Sequence, residues 1–151
     1  MLKGIDPLLT PELLKVLAEM GHGDEIVIAD ANFTAASLAV GKPLIYLSGE
    51  GVARVITAII SLLPLDQDVS QPIAYMQVSH QTTGWCSALQ KQIIRELNDA
   101  GHALAGQYEA LERFAFYERV KQAYAIVLTG ELQPYGNFIL KKGVICEPLA
   151  G

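Results

Sequence analysis

The run EIVIA, residues 25–29, constrains this chain more than any other stretch. Five residues are too few for a helix, and the β-branched content marks a strand. Both of its faces are apolar, so it belongs in the middle of a sheet covered by helices. Upstream, Thr10 is placed to cap a helix opened by Pro11. Leu13, Val16, Leu17 and Met20 share one face of that helix, and Gly21 stops it.

The same alternation continues along the chain. PLIYL (43–47), PIAYMQV (72–78), YAIVLTG and a short NFILKKG read as strands. GVARVITAIISLL (51–63), CSALQKQIIRELNDAGH and FAFYERVKQA read as helices. Residues 102–111 have no decisive pattern. Strands interleaved with helices imply an α/β domain of three layers, a central sheet flanked by helices, spanning 1–151 without an internal linker.

Composition narrows the function. The net charge is −5 with no basic stripe, which disfavours nucleic acid. A 51% hydrophobic and 18% charged chain is apolar enough that partner subunits are expected to cover some surface. Cys86 and Cys146 lack CxxC spacing and read as free thiols of a reducing compartment. The N-terminus has no signal-peptide pattern and no apolar run reaches membrane length, so a cytoplasmic protein is expected. Walker, GxSxG and GxGxxG motifs are absent.

Three places carry candidate chemistry. His22 stands between Gly21 and Gly23, ahead of the strand. Glycines there let a ligand or another chain approach, and imidazoles exchange protons near neutrality. A helix-ending turn explains the same pattern. Asp30 follows the strand, where open α/β sheets gather ligands and a carboxylate suits sugar hydroxyls. An Asx-turn or helix cap is an equal alternative. In RFAFYER (113–119), Arg113 has the planar fork to hold a ligand oxygen, or an exposed salt bridge to a glutamate. Tyr117 follows one turn later, and the phenylalanines are expected in the core. In TGELQPYGNFIL, Tyr135, Gly136 and Asn137 form a turn able to offer a phenol and a carboxamide to a polyol. His80 and His102 read as surface residues, with no metal spacing around them. Trp85 reads as packing at a helix start.

The stretches GIDPLLTPELLKVLAEMGHGDEIVIADANF and RFAFYERVKQAYAIVLTGELQPYGNFILKKGV strongly resemble the sugar mutarotase family that includes L-fucose mutarotase and D-ribose pyranase, the fucose branch most closely. The resemblance implies a ring-shaped homo-oligomer, often a decamer, with sites near subunit contacts and catalysis without cofactor or metal. It implies His22 as proton donor, and Asp30, Arg113, Tyr135, Gly136 and Asn137 as sugar-binding positions. The fucose branch typically has histidine, proline and histidine where this chain has Asn32, Thr34 and Ala36. Such an enzyme exchanges the anomers of a monosaccharide through the open aldehyde, which needs one acid and one base. Asp24 or a backbone carbonyl is expected to orient His22. The base is Asp30, Tyr117 or a water. A pyranase activity on ribose and a sugar-binding protein without turnover are the alternatives.

Overall fold

A computed structural model describes residues 1–151. Its elements are α1 (Pro11–Glu19), β1 (Glu25–Ala29), α2 (Ala35–Leu38), β2 (Leu44–Leu47), α3 (Val52–Ile60), β3 (Ile73–Met76), α4 (Ala88–Asp99), β4 (Tyr108–Leu111), α5 (Arg113–Gln122), β5 (Ala125–Thr129) and β6 (Phe138–Lys141). The six strands form one mixed sheet in the order β2-β5-β1-β6-β3-β4.

The strand EIVIA lies inside that sheet, as its two apolar faces require. β1 runs parallel to β5, Ile26 beside Ala125, and antiparallel to β6, Ile28 beside Phe138. Successive side chains point to opposite faces. Ile26 and Ile28 join a core with Leu13, Ile56, Ile59 and Ile93, beneath α1, α3 and α4. Val27 and Ala29 join a smaller core with Phe33, Phe116 and Val120, beneath α2 and α5. Each fully buried Val, Ile or Leu contributes roughly 1.5–3 kcal/mol, so the central strands anchor both layers.

Helix starts follow the caps that the sequence supplies. Thr10 accepts the Leu13 N–H, with Pro11 opening α1. α4 begins at Ala88, after a reciprocal box between Ser87 and Gln90. Trp85 therefore lies ahead of the helix and is 41% exposed, which corrects the expectation that it packs at the helix start. Of the two phenylalanines expected in the core, Phe116 is buried, whereas Phe114 is 65% exposed. The patternless stretch contains edge strand β4, parallel to β3, with all four residues half-buried. The four-residue α2 was also unforeseen. No helix is long and apolar enough to cross a membrane.

Candidate functional site

The carboxyl end of β1 opens directly onto Asp30, which is only 5% exposed. Its backbone N–H donates to Asn137 Oδ1 at 2.8 Å, and Asn137 Nδ2 donates back to Asp30 Oδ2 at 2.9 Å. The first bond fixes which way the carboxamide faces, so its NH₂ must point at the carboxylate. Oδ1 accepts the Asn32 N–H at 3.0 Å. The Asx-turn and the ligand-facing reading of Asp30 are thus compatible, because the two oxygens have separate partners. Burial pushes the Asp30 carboxyl upward, partly opposed by its bonds to Asn32 and Asn137.

Asn137 belongs to the turn that leads into β6, and that turn is held from behind. Tyr135 has φ of 63°, in the left-handed region that bulky residues avoid. Its carbonyl accepts Gln90 Nε2 at 3.0 Å, and the same amide donates to the Met76 carbonyl at 2.8 Å. Gln90 is completely buried. A Cβ at Gly136 would come within 3.1 Å of Leu89 Cδ2 and 3.2 Å of Glu131 Cγ, so any larger residue there presses both side chains aside. Gln90 is a positioning residue that reading the sequence missed. The S-x-x-Q capping pattern at 87–90 was its only signal, and a cap does not announce a buried tether to a distant turn.

The other wall comes from the first turn of α5. Glu112 caps the helix, its Oε2 accepting the Phe114 and Ala115 N–H groups, and so offers Arg113 no salt bridge. Arg113 Nε instead donates to Tyr117 Oη at 2.9 Å, one helical turn on. Its guanidinium lies 5.5 Å from the Phe114 ring centroid and 5.4 Å from that of Tyr117. The Tyr117 ring meets Phe33 edge-on at 5.6 Å. Arg119, by contrast, is tied to Glu25 at 2.8 Å and Glu109 at 3.0 Å, and takes no part in the site.

Together these groups line a cleft of about 200 Å³ bounded by Asp30, Asn32, Phe33, Met76, Arg113, Tyr117, Pro134, Tyr135 and Asn137. A buried acceptor, an exposed planar cation, a phenol and a fixed carboxamide face one small space. That donor–acceptor set matches a molecule bearing several hydroxyls around a small ring. Of the expected positions, Asp30, Arg113, Tyr117, Tyr135 and Asn137 reach the cleft, and Gly136 shapes its turn. Of the departures, Asn32 lines the cleft, while Thr34 and Ala36 are exposed on and beside α2.

His22 is not brought to this cleft within one chain. It precedes β1 and Asp30 follows it; five strand residues alone extend about 16 Å, so the two lie at opposite ends of the strand. At that far end His22 Nε2 meets Asp66 Oδ1 at 3.1 Å and Asp68 Oδ2 at 3.5 Å. The expectation that Asp24 orients the imidazole is corrected, because its Oδ2 accepts the Gly21 N–H at 2.7 Å. Donor atoms of His22, Asp66 and Asp68 lie within 4.8 Å of one another. Two of these three are exposed, and exposed acids gather in this way without an ion.

A family model described as the RbsD / FucU transport protein family matches residues 3–145. The chain belongs to that family. It is 48% identical over 146 residues to the L-fucose mutarotase of Actinobacillus pleuropneumoniae, covering 95% of this chain and 97% of that one. The fucose mutarotase of Homo sapiens is 46% identical over 149 residues, covering 95% and 94%. Among solved structures, the fucose mutarotase of Streptococcus pneumoniae in complex with L-fucose superposes with a TM-score of 0.85 at 43% identity, covering 96% of this chain and all of that one. Bacillus subtilis RbsD complexed with D-ribose shares the fold, with a TM-score of 0.72 at 23% identity.

Proposed function

We propose that this family member is a cofactor-independent sugar mutarotase that interconverts the α and β anomers of L-fucose or a closely related monosaccharide. The observation that carries this reading is the cleft built by Asp30, Asn137, Tyr135 and Arg113, in a chain nearly half identical to fucose mutarotases over its length. Asp30 and Asn137 receive and donate hydrogen bonds to adjacent hydroxyls, Arg113 grips a further oxygen, and Tyr135 closes the turn side.

Ring opening needs a proton on the ring oxygen and loss of the anomeric hydroxyl proton. His22 supplies the first. The C1–O5 electron pair goes to the ring oxygen as the C1–O1 carbonyl forms. Asp30, Tyr117 or a water between them takes the hydroxyl proton, with Asp30 mainly positioning. Closure on the other carbonyl face reverses both transfers. Each well-placed transfer is worth about 10²–10⁴ in rate, enough without a metal.

Because His22 and Asp30 occupy opposite ends of β1, the site is composite: one copy supplies the cleft and a neighbouring copy the imidazole. A ring-shaped homo-oligomer, decameric as in the resemblance, presents these ends to each other. The exposed Leu2, Val144 and Ile145 offer apolar surface for such contacts. The two free cysteines fit a cytoplasmic setting.

Saturation-transfer NMR on fucose, ribose, galactose and glucose tests the reading. Anomer exchange fastest with fucose is expected, and His22→Ala should abolish it while leaving the assembly intact by native mass spectrometry. Exchange confined to pyranose–furanose interconversion of ribose would favour the pyranase alternative. Binding without exchange would mean a non-catalytic sugar-binding protein.

A further inference from the structure

The segments bearing His22 and Asp66 are 44 residues apart in sequence, yet both are strapped to the end of β6. On one side, Gly23 donates to the Lys142 carbonyl at 2.8 Å and Lys142 donates to the Asp24 carbonyl at 2.8 Å. On the other, Asp66 donates to the Lys141 carbonyl at 3.0 Å and Gly143 to the Pro64 carbonyl at 2.7 Å. A Cβ on Gly143 would fall 2.4 Å from the Leu65 carbonyl oxygen and 2.8 Å from Asp66 Cα, so only glycine permits this approach. The imidazole is 43% exposed; the carboxylate beneath it is 5% exposed.

We propose that Asp66 is a positioning residue for the acid His22, holding the hydrogen on Nε2 so that Nδ1 is the nitrogen that gives and recovers the proton. This rests on the reading of His22 as the acid. Asp66 Oδ1 already accepts the Asp68 N–H at 3.0 Å, and that bond fixes the carboxylate's orientation. An ionised carboxylate can only accept, so a neutral imidazole beside it must keep its hydrogen on Nε2. Nδ1 is then bare in the neutral form and protonated in the imidazolium. The proton leaves Nδ1 for the sugar ring oxygen at opening and returns at closure, while the Nε2–H···Asp66 bond persists throughout. Steering of an imidazole by a buried acid is the logic of a hydrolase triad, here applied to a general acid.

The surrounding charges support the assignment. The Asp66 carboxyl is held below its usual range, first by the Asp68 N–H and also by His22 and Lys141, against an opposing effect of burial. Asp68 adds a second, exposed carboxylate at 3.5 Å from Nε2. Asp24 is occupied by the Gly21 N–H, and the Lys142 ammonium by the Leu17 and Met20 carbonyls. Asp66 is therefore the buried acid committed to the imidazole.

The experiment combines long-range ¹H–¹⁵N correlation spectra of the histidine rings with anomer-exchange kinetics on the intact protein. In the wild type, the neutral His22 ring should carry its hydrogen on Nε2. In Asp66→Ala the two tautomers should mix, and kcat for fucose should fall about 10- to 100-fold with KM unchanged. Asp66→Asn retains the same oxygen for the Asp68 N–H and for His22 Nε2, so it should keep the fold and the Nε2–H tautomer and, losing only the charge, fall in rate less than Asp66→Ala. A wild-type ring protonated on Nδ1 overturns the proposal whatever the kinetics. If His22→Ala is inactive while both Asp66 variants turn over at the wild-type rate, the proposal fails and the reading of His22 survives. If His22→Ala still exchanges anomers, that reading fails first and takes the proposal with it.

Discussion

The two ends of β1 contrast sharply. At the carboxyl end, Asp30 and Asn137 are 5% and 2% exposed and bonded to each other twice, with Gln90 bracing the turn behind them. At the amino end, His22 stands largely in the open with one buried acid beneath it. The first end is a fully braced cleft within a single chain. The second is an exposed imidazole, the proposed proton donor, remote from the cleft of its own chain. Under the proposed reading, the difference teaches that recognition is built into the protomer, whereas chemistry depends on assembly.

The largest effect is expected where that division is sharpest. His22→Ala should reduce anomer exchange by about 10²–10⁴ while fucose still binds, measured by saturation transfer alongside calorimetry. Loss of binding together with exchange would mean that the imidazole also holds sugar. Asn137→Ala should break the other end instead. It leaves the Asp30 N–H and one carboxylate oxygen without partners, at a cost of about 2–4 kcal/mol in chemical denaturation, and removes sugar binding.

Arg113→Ala should raise KM for fucose at least about tenfold with a smaller effect on kcat, because the exposed guanidinium grips the substrate in ground and transition states alike. Smaller still, Gln90→Ala frees the Tyr135 and Met76 carbonyls. It should weaken fucose binding by a few-fold to about tenfold, through a loosened turn rather than a lost contact.

Acid–base behaviour sharpens the same comparison. The Asp30 carboxyl titrates above the ordinary ~3.9 of an aspartate in an unfolded chain, chiefly through burial. Between that value and its raised folded value, the folded state holds the proton and the unfolded state has released it. Asp30 therefore withdraws stability as pH rises through this window, and the penalty is complete above it. The lowered Asp66 carboxyl acts oppositely: its contribution is present above the unfolded value and is lost as pH falls through the folded one. Carboxyl ¹³C titration should show the two aspartates moving to opposite sides of 3.9. Asn137→Ala should push Asp30 further up by removing a bond that favours its charged form.

Local chemistry in the sequence foretold much of this. The β-branched runs, the Thr10 cap and the helical spacing of Leu13, Val16 and Leu17 each specify their own segment. YEAL did not announce itself as β4, because an edge strand pairs on one side only and all four residues are half-buried. Phe114 was expected inside because an aromatic residue on a helix does not announce that its ring will lie exposed against Arg113 rather than in the core. Asp30, Arg113 and the Tyr135–Asn137 turn were legible as candidates, since each sits at an element boundary. Their convergence was not, because it depends on β6 lying antiparallel beside β1. Asp66 and Gln90 were invisible for the same reason: their partners lie 44 and 45 residues away.

Complementation between two inactive variants tests the central claim most directly. His22→Ala and Asn137→Ala protomers, unfolded together in equal amounts and reassembled, should regain anomer exchange. Random mixing gives about a quarter of the composite sites both an intact imidazole and an intact cleft, so activity should recover to about that fraction of wild type. A mixture no more active than its separate components would contradict a site shared between copies.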